Sequence, residues 1–132
     1  MTGREVITPV HEPKDMNAAF AAAFNSGDIE QLLALYEPDA VLAPQPGLRA
    51  VGLEAIREAL LGLLGLGGTM RSENLYCLRS GDIALLQGSW TLSTADREGE
   101  PVELASRTAE VVRRQPDGSW LYVADHAFGS DE

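Results

Sequence analysis

The chain has 132 residues, 45% of them hydrophobic and 23% charged, a balance that suits one folded domain with its own core and excludes general disorder. A formal net charge of −10 opposes binding to nucleic-acid phosphates or anionic membranes. No window approaches the roughly 18 apolar residues of a membrane span, and Arg4 and Glu5 lead into no apolar secretory core, so a cytoplasmic protein is expected. Cys77 stands alone, which excludes an internal disulfide and any multi-cysteine metal site. It is expected to be a small buried hydrophobe.

Residues 1–14 hold Pro9 and Pro13 without periodicity and read as a loose arm. From Asp15 to Asn25, Met16, Ala19, Phe20, Ala23 and Phe24 recur at helical spacing, which predicts a first helix with Asp15 as its N-cap and Gly27 in a left-handed C-terminal position. Asp28 caps a second helix, Ile29 to Tyr36, stopped by Pro38-Asp39. Ala40 to Ala43 is a short strand, and Pro44-Gln45-Pro46-Gly47 a rigid loop. A third helix runs from Leu53 to Leu64, with Ile56, Leu60, Leu61 and Leu64 inward and Glu54, Arg57 and Glu58 outward.

Strands follow. Thr69 to Arg79 and Ile83 to Thr94 flank the turn Ser80-Gly81-Asp82. Val102 to Arg114 and Trp120 to Phe128 flank Gln115-Pro116-Asp117-Gly118, where proline presets φ and glycine supplies a positive one. The order α-α-β-α-β-β-β-β, with helices early and strands late, is that of an α+β fold with helices on one face of a curved antiparallel sheet.

Three motifs carry a resemblance beyond this order. Phe24-Asn25-Ser26-Gly27-Asp28 with Leu33-Ala34-Leu35-Tyr36 and Pro38-Asp39-Ala40-Val41 resembles the opening of the nuclear transport factor 2-like superfamily. Gly52-Leu53-Glu54-Ala55-Ile56-Arg57 looks like its third-helix signature. Asp117-Gly118-Ser119-Trp120 followed by Asp125-His126 is similar to the last hairpin of its SnoaL-like and ketosteroid isomerase-like branches. The likeness spans residues 15–129, taken as the single domain with 130–132 as a tail. It implies a cone-shaped, cystatin-like fold, open at one end and paired as a homodimer through its outer sheet face. Reaction does not follow from fold. Where the isomerases carry a first-helix tyrosine this chain has Phe20, and their base falls at Ala43 or Pro44. Their oxyanion-hole aspartate falls near Glu110.

Asp125 and His126 are adjacent on one strand, so they point to opposite faces and only one can line the interior. His126 would suit general acid/base work near neutral pH, or be a structural histidine at a strand end or dimer interface. Arg107 would bind a carboxylate or polarise a carbonyl, or be solvated on the convex face. Glu110 in an apolar cone could act as acid or base. Phe20, Tyr36, Trp90 and Met16 are candidate walls of an apolar pocket, with core packing as the alternative for each. No phosphate loop, nucleophile elbow or metal-ligand spacing occurs, so neither cofactor nor metal is expected. Two functions fit. One is cofactor-independent isomerisation, dehydration or cyclisation of a hydrophobic carbonyl compound. The other is a non-catalytic ligand-binding or dimeric scaffold domain.

Overall fold

Helical periodicity in the N-terminal half becomes three helices, α1 (Met16–Ser26), α2 (Ile29–Leu33) and α3 (Leu53–Leu64). The computed structural model describes residues 9–45 and 47–128. The signals at the helix ends work as their chemistry predicts. Gly27 closes α1 at φ 75°, its N–H bonded to the Phe24 carbonyl, and Asp28 accepts the Glu30 N–H at 2.9 Å. Asp15 makes no side-chain cap; it belongs to a single 3-10 turn, Pro13–Asp15, that leads into α1.

Seven strands follow the helices or lie between them: β1 (Tyr36–Ala43), β2 (Ala50–Val51), β3 (Thr69–Ser80), β4 (Ile83–Ala95), β5 (Pro101–Arg107), β6 (Ala109–Arg114) and β7 (Trp120–His126). They form one curved, unclosed sheet in the order β2-β1-β7-β6-β4-β3, with β5 also paired to β4. The α+β cone is therefore present, but the sheet is mixed. β1 runs parallel to β7, with Leu42 beside Asp125 and Ala43 beside His126.

That parallel pair corrects two local expectations. The second helix ends at Leu33 and Tyr36 opens a strand, because the Leu35 carbonyl accepts the Tyr122 N–H at 2.7 Å and draws the chain into the sheet. Pro38 is tolerated inside β1 because the pairing shifts register between Tyr36 and Val41. The single arm expected from Val102 to Arg114 is likewise two strands. At Thr108 the chain bends, donating its N–H to the Gly88 carbonyl and accepting the Gly88 N–H on Oγ1. β4 thus carries β5 and β6 in succession along one edge, which curls the sheet around the helices.

α1 packs on β3, and α3 packs on α2, β1 and β2. Met16, Leu32, Ile56, Leu86, Leu92, Val112 and Trp120 are fully buried between these layers, each stabilising the fold by about 1.5–3 kcal/mol relative to exposure. Gly68 has φ +90°, and a Cβ there would lie 2.2 Å from the Ser93 carbonyl oxygen, so only glycine fits. Val10 is buried and its carbonyl accepts the Trp120 N–H at 2.8 Å, so this part of the N-terminal segment is packed on β7. Residues 1–8 of the expected arm, and the expected tail 130–132, lie outside the described residues. Cys77 is exposed instead of buried: β3 is the last strand of the sheet, and every residue of it from Leu75 to Ser80 is exposed. No helix is long and apolar enough to cross a membrane.

Candidate functional site

Strand register decides which polar groups enter the cone. On β6 and β7 Glu110 lies opposite Asp125, and Ala109 opposite His126. Directly opposed residues share a face. Glu110 also pairs with Leu86, which is 1% exposed, so Glu110 and Asp125 point inward. His126, of opposite parity, points to the outer face. Arg107 pairs with Ser89 while buried Ser106 pairs with Trp90, so Arg107 too is on the outer face, and it is exposed.

Inside, a cavity of about 590 Å³ opens between α1, α3 and the sheet. Phe20, Leu42, Leu60, Leu63, Met70, Trp90 and Tyr122 form its apolar walls; Asn17, Ser72, Thr108, Glu110 and Asp125 supply the polar groups, with Gln45 and Glu58. No arginine, lysine or histidine is among the described lining residues. Of the expected wall residues, Phe20 and Trp90 line the cavity. The Trp90 indole N–H is fixed on the Ala127 carbonyl at 3.0 Å. Met16 is fully buried in the core, and Tyr36 lies outside the lining, bonded to Asp125.

The two carboxyls are held from the protein side. The Tyr36 hydroxyl donates to Asp125 Oδ2 at 2.5 Å. The Asn17 amide donates to Glu110 Oε1 at 3.2 Å, and its oxygen accepts the Tyr122 hydroxyl at 2.6 Å. Burial pushes Glu110 from its ordinary 4.5 to about 8, with the Asp125 charge adding to the rise and hydrogen bonds from Thr108 and Asn17 opposing it. Burial also raises Asp125 from 3.8 to about 6, opposed by the Tyr36 hydrogen bond and by His126. Two carboxyls opposed on neighbouring strands resist ionising together, and Glu110 is the one whose protonated form is favoured more. Tyr36 and Tyr122, both buried, are pushed well above the usual tyrosine range.

This arrangement matches a known domain. The SnoaL-like domain family covers residues 17–123. The chain belongs to that family. Among solved structures, a ketosteroid isomerase-like protein from Erwinia carotovora atroseptica aligns at 25% identity with a TM-score of 0.74, over 83% of this chain and 86% of that one. A nuclear transport factor 2-like superfamily protein from Salmonella enterica serovar Typhimurium aligns at 15% identity and TM-score 0.69, over 83% and 82%. A dehydratase candidate of the same superfamily from Streptomyces avermitilis aligns at 19% and 0.69, over 84% and 88%. No curated protein sequence matches this one. Against the isomerase pattern, the SnoaL-like cavity here has Phe20 and Pro44 on its wall at the positions matched to the tyrosine and the base, and its buried acids come from β6 and β7.

Three residues of this site were not singled out from the sequence: Asn17, Gly88 and Thr108. Asn17 had a signal, because it precedes Phe20, Ala21 and Phe24 by three, four and seven positions on an inward face. Thr108 had none, since only the bend between β5 and β6 aims its hydroxyl.

Proposed function

We propose that this SnoaL-like domain binds a small, neutral, hydrophobic carbonyl compound in the cavity and performs cofactor-independent acid/base chemistry on it. The observation that carries this reading is the Glu110–Asp125 pair, set across two strands in the wall of a largely apolar cavity, with one acid raised further than the other. Pairs of titratable groups whose environments separate their pKa values mark acid and base roles. Asp125, the more readily ionised, is the base that takes a proton from the carbon next to the carbonyl. Glu110, protonated, donates a hydrogen bond to the carbonyl oxygen as enolate charge develops there. Return of the proton to another carbon completes an isomerisation; its delivery from Asp125 to a β-hydroxyl, which leaves as water as the C–O bond breaks, completes a dehydration. The absence of a cation from the described wall favours a neutral ligand over a carboxylate one, so Arg107 has no part in this scheme.

Hydrogen–deuterium exchange tests it without a known substrate. Apolar ketones such as 2-acetylnaphthalene are incubated with the protein in deuterated buffer, and loss of the α-proton signal is followed by NMR. Exchange faster than buffer is expected, falling by roughly 100-fold in Asp125→Asn and by at least about 10-fold in Glu110→Gln. Ketones that bind but never exchange above buffer would leave a binding domain and sink the catalytic roles.

A second copy of the chain is the proposed partner. On the outer face Leu78 lies opposite Leu85, and Leu85 opposite Val111. Tyr76, Leu78, Ile83 and Leu85 are between 37% and 59% exposed, an apolar surface of the kind that homodimers cover.

A further inference from the structure

We propose that Asn17 is a positioning residue that sets the proton affinity of Glu110 within the Glu110–Asp125 pair, with its amide oriented by Tyr122 and lodged against Gly88. The importance of that affinity for catalysis rests on the proposed function; the affinity itself does not, and can be measured in the protein alone.

The geometry runs through one amide. An asparagine side chain presents an acceptor at one end and donors at the other. The Tyr122 hydroxyl can donate, and it sits 2.6 Å from Asn17 Oδ1. With the oxygen held there, Nδ2 is turned to Glu110 Oε1 at 3.2 Å. The reversed amide would set its oxygen against Glu110 and require the acid's own proton to fill that contact. In this arrangement Glu110 is an acceptor toward α1. Thr108 acts in the same sense from the bend: its oxygen already accepts the Gly88 N–H at 2.8 Å, leaving its own hydrogen for Glu110. With Asn17 and Thr108 both donating to it, a protonated Glu110 keeps its own O–H for another acceptor, and it lines the cavity opposite Asp125 on β7.

Gly88 supplies the space. It lies on a long central strand, where glycine weakens pairing and usually marks a close approach. A Cβ at this position would stand 2.6 Å from Asn17 Nδ2 and 3.2 Å from Thr108 Oγ1. Any side chain would displace the amide from Glu110. The titratable groups that act with Glu110 are Asp125 and Tyr122 on β7 and Tyr36 on β1; Glu58 on α3 lines the same cavity, and His126 acts on Asp125 from its own strand. Asn17 carries no charge, so it tunes the pair by donation alone and adds no titration.

The test is a carboxyl 13C NMR titration of the full chain with labelled glutamate, the Glu110 signal assigned by its loss in Glu110→Gln. A donor to the carboxylate holds the proton off, so weakening that donor must raise Glu110's proton affinity. Gly88→Ala keeps every polar group and presses hardest on the Asn17 amide, with the Thr108 hydroxyl and the Glu73 carbonyl less closely crowded. Tyr122→Phe keeps the amide and removes what orients it. Both are expected to shift the Glu110 midpoint upward, and Asn17→Leu to shift it furthest, a roughly tenfold gain in proton affinity. If Asn17→Leu does not fold, the other two variants decide. An unchanged Glu110 midpoint in Gly88→Ala and Tyr122→Phe would overturn the assignment, whatever the exchange experiment gives. A ketone exchange that fails while these midpoints move would overturn the catalytic reading and leave Asn17's role standing.

Discussion

The two faces of the β6–β7 ribbon are built from alternating residues of one short sequence and could hardly differ more. The inner face holds Glu110, Val112, Tyr122 and Asp125, all buried. The outer face holds Val111, Arg113, Ala124 and His126, none of them fully buried. Composition is no guide to which side matters, since charged residues occur on both. What separates them is dielectric. Arg113 on the outside makes a solvent-exposed pair with Glu37 at 2.8 Å, a contact of small net worth. Inside, the same class of charge loses its water, and Glu110 responds by holding a proton to about 8.

Adjacent valines offer the sharpest way to break this contrast. Val112 is 0% exposed and faces Ala84, whereas Val111 faces Leu85 on the outside. Val112→Asp buries a carboxylate with no partner and should cost more than about 3 kcal/mol, enough to prevent folding of a marginal domain. Val111→Asp, the same change one residue away, should cost about 1 kcal/mol or less. Urea unfolding monitored by circular dichroism checks both; comparable losses would mean that the register is misassigned.

Next in size is the pH dependence of stability, which the inner face alone should dominate near neutrality. Glu110 and Asp125 have folded-state values above their ordinary ones, so the folded chain binds more protons than the unfolded chain in between. Their contribution is complete below about 4 and is lost as pH rises through about 6 and about 8. Stability from this pair should therefore fall between pH 4.5 and 8 by several kcal/mol. Glu110→Gln should flatten the upper part of that slope and raise Tm at pH 8.5, because it removes the cost of ionising a buried acid. Calorimetry at several pH values reads this directly, and a Tm that climbs steadily from pH 5 to 8 in the unmodified protein would contradict the buried pair.

The two faces also explain how far the sequence could be read. Elements fixed by local chemistry were legible. The third helix runs from Leu53 to Leu64 as its 3.6-residue pattern predicts, although Leu61, expected on its inner face, is 44% exposed, and Gly27 and Asp28 cap as expected. The parity of Asp125 and His126 was legible too, as opposite faces. Which of them points inward was not, because that depends on the pairing of Glu110 with Asp125 across 15 positions and on a register shift between Val111 and Val112. Tyr36 read as helical because its spacing from Ile29, Leu32 and Leu33 is helical; only its pairing with Tyr122 on β7 makes it a strand residue. Asn17 reaches Glu110 over 93 positions, and no local pattern announces such a contact.

The outer face should respond in association, where the inner face responds in stability. Leu78 is 59% and Leu85 40% exposed, side by side on β3 and β4. Leu78→Asp should leave Tm nearly unchanged in the monomer while weakening self-association at least about 10-fold. Sedimentation equilibrium in the micromolar range measures it. A chain that is monomeric before the substitution removes the proposed partner and leaves the cavity argument untouched.

The smallest effects belong to the two polar residues that the sequence pattern made most suggestive. Arg107 pairs with Ser89 and His126 with Ala109, both on the convex side, and neither side chain is among those lining the cavity. A charge on that side reaches the cavity only through the sheet and is partly screened by salt. Arg107→Ala and His126→Ala should therefore change the affinity for 2-acetylnaphthalene, and its exchange rate, by less than about twofold. His126 has the larger share of that change because its proximity lowers the Asp125 pKa. Its loss should move the acid limb of the exchange profile slightly upward in pH without altering the plateau. If Arg107→Ala instead removes exchange while Asp125→Asn retains it, the chemistry lies on the convex face, and the inner carboxyl pair is a structural feature of the core.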